Sequence, residues 1–531
     1  MTQSAAPEAA EPVSTARDRR RALRPTASEA LAALASAVLF AIAFPPFPFV
    51  VPVFLALVPF AVAVAQRADG DGSVRSAARI GFWFAILGYG ANLYWMATAL
   101  SSWTRLSFLA YGATVVTIAV IIACVAAALF VLRRATHLPM AILLPLLWVA
   151  KEVLLNYLGD IAFPWLPLGL SMAHVPLFAQ LADVSGVRGV SFWIAMTNGL
   201  LADAWLLRAH RAAVARRVAA VVVAAGLVAG YGAWRLASIH PHPVASISVV
   251  QPNIPQSDKW QAANRGRIVG ILDSLTRAEI ARHDGEQLIV WPEVALPGFI
   301  IQHPEWTRTI RALTRSGHVP LLFGVLDAVI RSPDDYDIYN AAMLADSAGY
   351  IDFAHPYRKT YLVPIVERVP FVNPHWFSSL KFFGSFARGG TPVPFTLPFG
   401  KVGVIICYES IFPQRSRLYR REGADILLNI TNDAWFGKTI APYQHEAHLS
   451  LRAIENRVGI VRDGNTGISA YIDPMGRVHG ATPLFVRTIR TYEAQSTSLH
   501  PLYVRLGDWV GTLSLVAALS LLGLAYLRRR A

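Results

Sequence analysis

Residues 401–410 read KVGVIICYES, an apolar run that ends on Cys407 and passes directly into polar sequence. Val402, Val404, Ile405 and Ile406 are residues that suit a buried strand. A cysteine there is on its own account also a small buried hydrophobe. Two further segments add weight to chemistry. EQLIVWPEVALPG, 286–298, carries Glu293 just past another apolar strand, and HPYRKTYLVPIVERVP, 355–370, carries Lys359 after a second candidate hairpin. A thiol, a carboxylate and an ammonium are the three parts of an acyl-transfer site.

The surrounding chain is very apolar. Of 531 residues 54% are hydrophobic and 15% charged, and the mean hydropathy is +0.42, too apolar for an ordinary soluble enzyme. Stretches of about 20 apolar residues, enough to cross a bilayer, occur near 28–45, 48–66, 79–100, 107–132, 138–157, 188–207, 217–236 and 509–527. They predict eight spanning helices, the first two separated by the Pro-rich turn at Pro45, Pro46 and Pro48. A long polar leader and a close second span argue against a cleaved signal peptide.

Arginine placement orients these spans. The clusters Arg17 to Arg24, Arg67 to Arg79, Arg133 and Arg134, Arg208 to Arg217, and Arg528 to Arg530 all fall on one side of an eight-span arrangement. By the positive-inside rule that side is cytoplasmic. Both termini are then cytoplasmic, and the domain between spans seven and eight is exported. The net charge of +14 thus reads as a topology signal and not as a nucleic-acid surface. The resulting division is a disordered leader at 1–27, seven spans within 28–237, an exported domain at 238–505, and an eighth span with a basic tail at 506–531. Of the two cysteines, Cys124 lies in the fourth span, so Cys407 is expected to be an unpaired thiol in an oxidising compartment.

Short apolar runs alternate with helical stretches in the exported domain. Expected strands are 244–251, 286–291, 320–327, 340–346, 350–355, 401–407, 425–430, 466–472 and 477–482. Expected helices are 259–283, 304–316, 411–422 and 443–457, and hairpin turns are expected at Asp346 to Gly349 and Asp473 to Gly476. The pattern predicts an α/β sandwich.

WPE at 291–293, YRKTYLVP at 357–364 and ICYES at 406–410 resemble the Glu-Lys-Cys motifs of the nitrilase, or carbon-nitrogen hydrolase, superfamily. With eight spans, VVQPNIPQSDKW at 249–260 and NDAWFG at 432–437, the chain resembles the apolipoprotein N-acyltransferase family over nearly its whole length. The resemblance implies a nitrilase-like αββα domain and an inner-membrane bacterial enzyme with a periplasmic catalytic domain. It implies Glu293 as base, Lys359 as oxyanion support and Cys407 as nucleophile, with supporting roles for Trp260, Glu367, Tyr408 and Glu409. Glu367 and Glu409 are expected to orient Lys359 or to serve as structural ion-pair partners. The implied partners are a phospholipid acyl donor and a diacylglyceryl-apolipoprotein acceptor, with no cofactor. Val366 stands where that family has glycine, which bears on the shape of the loop before Glu367.

Aromatics at Phe371, Trp376, Phe377, Phe382 and Phe383 suggest an arm that dips into the outer leaflet and gates lipid entry, or else plain core. Lys151 and Glu152, costly inside a span, suggest a headgroup pocket, mutual pairing or snorkelling. Trp165, in FPWLPLGL, is expected at the meeting of an outer loop with the exported domain, or as an interfacial anchor. His445, Glu446 and His448 lack metalloprotease spacing, and FARGG at 386–390 reads as a turn. Two other functions share these features: a membrane-tethered amidase that lets water discharge the thioester, and a non-catalytic sensor or transporter.

Overall fold

The computed structural model describes residues 24–101, 107–282, 285, 287–332, 335–371 and 385–530. The leader through residue 23 and the aromatic arm at 372–384, with Trp376, Phe377, Phe382 and Phe383, lie outside the described residues.

Among the described residues, seven helices of twelve residues or more precede the first strand: α1 (Ala27–Ala41), α2 (Val58–Asp69), α3 (Val74–Leu93), α4 (Ser107–Thr136), α5 (Met140–Asn156), α6 (Ala182–Leu206) and α7 (Arg211–Ser238). Thr26 caps α1 by accepting from the Glu29 amide, and the Glu29 carboxylate returns to the Thr26 amide at 3.0 Å, a reciprocal cap that settles two orphan donors. Among the described residues, four helices are long and apolar enough to cross a bilayer, at Val51–Asp69, Ser107–Thr136, Arg211–Ser238 and Trp509–Arg528. On α7, Val222, Val223 and Leu227 are largely exposed, an arrangement suited to lipid and not to water. Basic helix ends are tied together by acids: Arg79 and Arg67 meet Glu29, and Arg133 meets Asp69.

Twelve strands follow among the described residues. One sheet runs β12-β1-β2-β3-β4-β5, with β1 (His242–Gln251), β2 (Leu288–Trp291), β3 (Leu321–Ser332), β4 (Asp335–Ala345), β5 (Tyr357–Arg358) and β12 (Thr488–Ser496). The other runs β11-β10-β9-β8-β7-β6, with β6 (Phe395–Leu397), β7 (Gly400–Ile406), β8 (Ile426–Thr431), β9 (Gly459–Gly464), β10 (Ala470–Ile472) and β11 (Val478–His479). The centre of each sheet is parallel, β1-β2-β3 and β7-β8-β9.

Alternating side chains build two cores. Ile247, Val249, Leu288, Val290 and Leu322 face the second sheet and join Val402, Val404 and Leu427. Val250, Ile289, Trp291 and Phe323 face outward onto α8 (Arg265–Arg282) and α9 (Pro304–Gly317), where Leu272, Ile310 and Leu313 cover them. Helices α10 (Pro413–Arg421) and α11 (Ala441–Asn456) cover the second sheet. The layers are therefore α, β, β, α. A final helix, α12 (Trp509–Arg530), packs on α5.

Several expectations need correction. Residues 350–355 form only an isolated bridge at Ile351, because the Asp352 carboxylate takes the Ala354 and His355 amides and folds the chain into a turn. The expected helix at 259–283 is interrupted and runs continuously only from Arg265. Strands β5, β6, β9 and β12 were not anticipated. Polar residues alternate along β12, and β9 carries Arg462 and Asp463 in buried positions, so neither shows an apolar run.

Helix α11 joins the domains. It lies against α6, and the Glu455 carboxylate accepts from the Val187 amide at 2.8 Å. Arg457, just beyond α11, pairs with Asp183 at 2.6 Å, and Arg235 of α7 pairs with the same carboxylate at 2.7 Å. Trp165 is buried at this junction, donating from Nε1 to Gln444 at 2.8 Å and accepting at its carbonyl from His448.

Candidate active site

Glu293 follows β2, Lys359 follows β5 and Cys407 follows β7. Both Glu293 and Cys407 thus stand beyond the carboxyl ends of parallel strands, where open α/β sheets gather functional groups. Gly324 in β3 permits the approach of the Glu293 segment. A Cβ there would lie 2.4 Å from the Pro292 carbonyl oxygen and 2.8 Å from Glu293 Cα.

The three side chains converge. Lys359 Nζ donates to Glu367 Oε1 at 2.9 Å and to Glu293 Oε1 at 3.3 Å, and Lys359 is wholly buried. Asn340 Nδ2 donates to the same two oxygens at 2.7 Å (Glu293) and 3.1 Å (Glu367). Glu293 Oε2 accepts from the Asn432 amide at 2.8 Å. Burial disfavours the lysine's charge, but Glu367 and Glu293 overcome that and hold its pKa above the ordinary lysine value.

Cys407 opens a short 3-10 turn with φ +50°, a left-handed conformation that only a few per cent of non-glycine residues adopt. His445 Nε2 sits 3.1 Å from the Cys407 carbonyl oxygen, and its Nδ1 is 3.0 Å from Asp433, which Arg462 binds at 2.6 Å. Burial raises the Asp433 pKa, yet Arg462 and His445 hold it down to about 2. For Cys407, burial pushes the thiol up, the Glu293 carboxylate adds to that, and Lys359 opposes it. At rest Cys407 is accordingly a thiol, and its ionisation would need a base.

These groups line a cavity of about 340 Å³ whose far wall is apolar and comes from the leading helices: Met96, Ala110, Ala113, Thr117, Ile118 and Leu158. A reactive end in the α/β domain opens into an apolar slot between helices. That is the shape of a site for a lipid chain.

Residues 246–501 match the carbon-nitrogen hydrolase family, and residues 36–200 match the apolipoprotein N-acyltransferase N-terminal domain. An apolipoprotein N-acyltransferase from Geobacter metallireducens is 31% identical over 94% of this chain and 95% of its own. One from Chlorobaculum tepidum is 33% identical over 73% and 78%. The chain belongs to the apolipoprotein N-acyltransferase family. Among solved structures, an amidase from Nesterenkonia sp. AN1 covers 50% of this chain and 96% of its own at 18% identity, with a TM-score of 0.36.

The supporting residues that the family resemblance implies fall in different places. Trp260 lines the cavity, and its buried Nε1 has no partner among the described residues. Glu367 holds Lys359, and its Oε2 takes the Val363 amide at 2.8 Å. Val366 is accommodated because the loop's left-handed residue is its neighbour Ile365, φ +72°. Tyr408 also lines the cavity and donates to the Ala162 carbonyl at 2.7 Å, joining the domains. Glu409 corrects the expectation that it orients Lys359 directly. It accepts instead from Tyr357 OH at 2.6 Å and from the Thr360 and Ile406 amides at 2.8 and 2.9 Å, so it acts on the backbone on either side. Trp376 and Phe377 lie outside the described residues.

Other residues noted in the sequence take the following places. His445, Glu446 and His448 turn to three different partners, the Cys407 carbonyl, His174 and the Trp165 carbonyl. Lys151 lies over the Trp148 ring, 4.3 Å from its centroid, and donates to Tyr89, while Glu152 takes the Leu168 amide. Neither pairs with the other through a hydrogen bond. The glycines of FARGG sit against the lysine loop: Gly389 donates to the Lys359 carbonyl at 2.9 Å, and a Cβ there would lie 2.0 Å from the Arg358 oxygen. Sequence reasoning missed Lys259, whose Nζ donates to the Glu293 carbonyl at 3.0 Å. Burial lowers this lysine to about 8 against the opposing pull of Glu293 and Cys407. Its signal was adjacency to Trp260. Asn432 was signalled by its place in NDAWFG, and Asn340 had no signal.

Proposed function

We infer that this protein transfers an acyl chain from a membrane phospholipid, through a thioester on Cys407, to the N-terminal α-amine of a diacylglyceryl-cysteine apolipoprotein. The observation that carries the reading is the cavity itself, in which Glu293, Lys359 and Cys407 meet an apolar wall contributed by the leading helices. A soluble amide needs no such wall, and an acyl chain does.

In the first half-reaction the Cys407 thiol gives its proton to Glu293 and the sulfur attacks the ester carbonyl. Lys359, held by Glu367 and Glu293, stabilises the oxyanion. The C–O bond breaks, and Glu293 returns the proton to the departing lysophospholipid alcohol. In the second half the amine attacks the thioester, Glu293 accepts its proton, the C–S bond breaks, and the proton returns to the Cys407 sulfur. The product is an amide and the free thiol.

The eight-span inner-membrane topology belongs to the same reading. The α/β domain meets the helix ends at Asn156, Asp183, Ser238 and Trp509, whereas Arg67, Arg133 and Arg208 stand at the opposite ends. Basic residues on the far side support a periplasmic catalytic domain at 238–505 and cytoplasmic termini.

Intact-mass spectrometry of wild type and Cys407→Ser, incubated with phospholipid and no acceptor, tests the function. An acyl-sized gain on wild type alone, removed by hydroxylamine and discharged by a diacylglyceryl peptide amine, is expected. A wild-type protein with lipid bound and no adduct would overturn the thioester route.

A further inference from the structure

A second cavity, of about 460 Å³, opens where the end of α5 meets the catalytic domain, and it shares no lining residue with the catalytic cavity. Asn156, Thr360, Arg388, Gln414 and Arg415 contribute its polar lining.

Two of these side chains are buried and incompletely satisfied. Arg415 is 8% exposed and Asn156 2% exposed. Arg415 Nη2 donates to Thr360 Oγ1, but its Nε and Nη1 have no hydrogen-bond partner among the described residues, nor have Asn156 Nδ2 and Oδ1. Buried polar groups are almost always paired, so four such atoms around one cavity point to a missing ligand. The guanidinium edge and the amide N–H are anion donors, and a guanidinium fork matches phosphate geometry. Asn156 Oδ1 adds an acceptor for a hydroxyl or ammonium on the same ligand.

Depth favours a lipid source. Asn156 is the last residue of α5, and Leu154 and Tyr157 beside it are exposed at 47% and 63%. An apolar helix face ending at a polar cavity is the geometry of an interface between acyl chains and headgroups. Arg388, at the rim, is paired with Asp160, whereas the Arg415 guanidinium lies over the Tyr361 ring with the Glu409 carboxylate as its largest opposing charge.

We propose that this cavity binds a phosphate ester, the headgroup phosphodiester of a phospholipid other than the acyl donor, through Arg415 Nε and Nη1 and Asn156 Nδ2. Its occupant also braces the catalytic lysine, because Arg415 holds Thr360 Oγ1 and Thr360 directly follows Lys359.

The test uses full-length, delipidated Cys407→Ser protein in a neutral maltoside detergent, so that no acyl transfer occurs and the catalytic cavity is the same in every arm. Native mass spectrometry follows titration with dioleoylphosphatidylglycerol or with dioleoylglycerol, which lacks phosphate, and ³¹P line broadening follows inorganic phosphate. The protein is expected to take up one phosphatidylglycerol more than its Arg415→Gln form, or to bind that lipid at least tenfold more tightly. Asn156→Leu, which keeps Arg415, is expected to weaken the same step several-fold and serves where Arg415→Gln does not fold; dioleoylglycerol is expected to add nothing. Arg415-dependent binding of inorganic phosphate without lipid uptake would keep the anion site and make free phosphate its source. Equal lipid and phosphate binding by the parent, Arg415→Gln and Asn156→Leu proteins would overturn the proposal.

Discussion

The Glu409 carboxylate accepts the backbone amide of Thr360 at 2.8 Å, tying the residue after the lysine to a side chain two positions after the nucleophile. Its other oxygen takes the Ile406 amide at 2.9 Å, from the residue before Cys407. One buried carboxylate therefore sets the separation between Lys359 and Cys407. Every donor it meets points inward at an acceptor.

Glu409→Gln is for that reason not conservative. The amide keeps one oxygen, but its NH2 must face either the Thr360 or the Ile406 N–H, leaving donor against donor. We expect the rate of acyl-enzyme formation to fall by about 100-fold, in line with loss of about 3 kcal/mol of positioning, with Cys407 still present and alkylatable. A variant with near wild-type rate in single-turnover acylation would show that the carboxylate is merely structural.

Glu293→Gln separates thiol ionisation from catalysis. Burial and the Glu293 charge both hold the Cys407 thiol up, so removing the charge lowers the thiol's pKa and leaves Lys359 to favour the thiolate. Iodoacetamide labelling of Cys407 should begin at lower pH in the variant than in wild type, while acylation by phospholipid falls at least 100-fold for want of a base. Labelling that shifts to higher pH would contradict the assigned electrostatics.

Asp433 governs acid stability. Its folded pKa of about 2 lies below the unfolded value near 3.9, so its contribution is complete above about pH 4 and is lost as pH falls from 4 towards 2. The difference corresponds to about 3 kcal/mol. Asp433→Asn leaves Arg462 without its buried partner and is expected to cost about 3 to 5 kcal/mol at pH 7. Thermal melts from pH 7 to 3 should show a lower melting temperature and a flatter acid limb.

Lys259 has the opposite sign. A lysine that titrates near 8 when folded and near 10.4 when unfolded costs stability at neutral pH, and the cost fades as pH rises from 8 to 10.4. Lys259→Met should melt higher than wild type at pH 7, with the gain shrinking by pH 10. It should also acylate about tenfold more slowly, since the Glu293 carbonyl loses its buried donor. Unchanged acylation would remove Lys259 from the positioning of Glu293.

Much of this protein was determined locally. Apolar length set the helices, β-branched runs set β1, β2, β3, β7 and β8, and Glu293 and Cys407 could be found because each follows such a run, whereas Lys359 was found by the YRKTYLVP motif that holds it. These signals depend on side-chain chemistry and spacing within about twenty residues, which sequence records directly. Only the tertiary structure decided that Asn340 and Asn432 hold Glu293, that Glu409 serves two backbone segments and not Lys359, and that His445 supports the Cys407 turn. The contacts of Asn340 and Asn432 with Glu293, of Glu409 with Thr360 and of His445 with Cys407 join residues separated by 38 to 139 positions. Hydrogen bonds at that range are created by strand order and register, which place side chains together without leaving any periodicity in either segment.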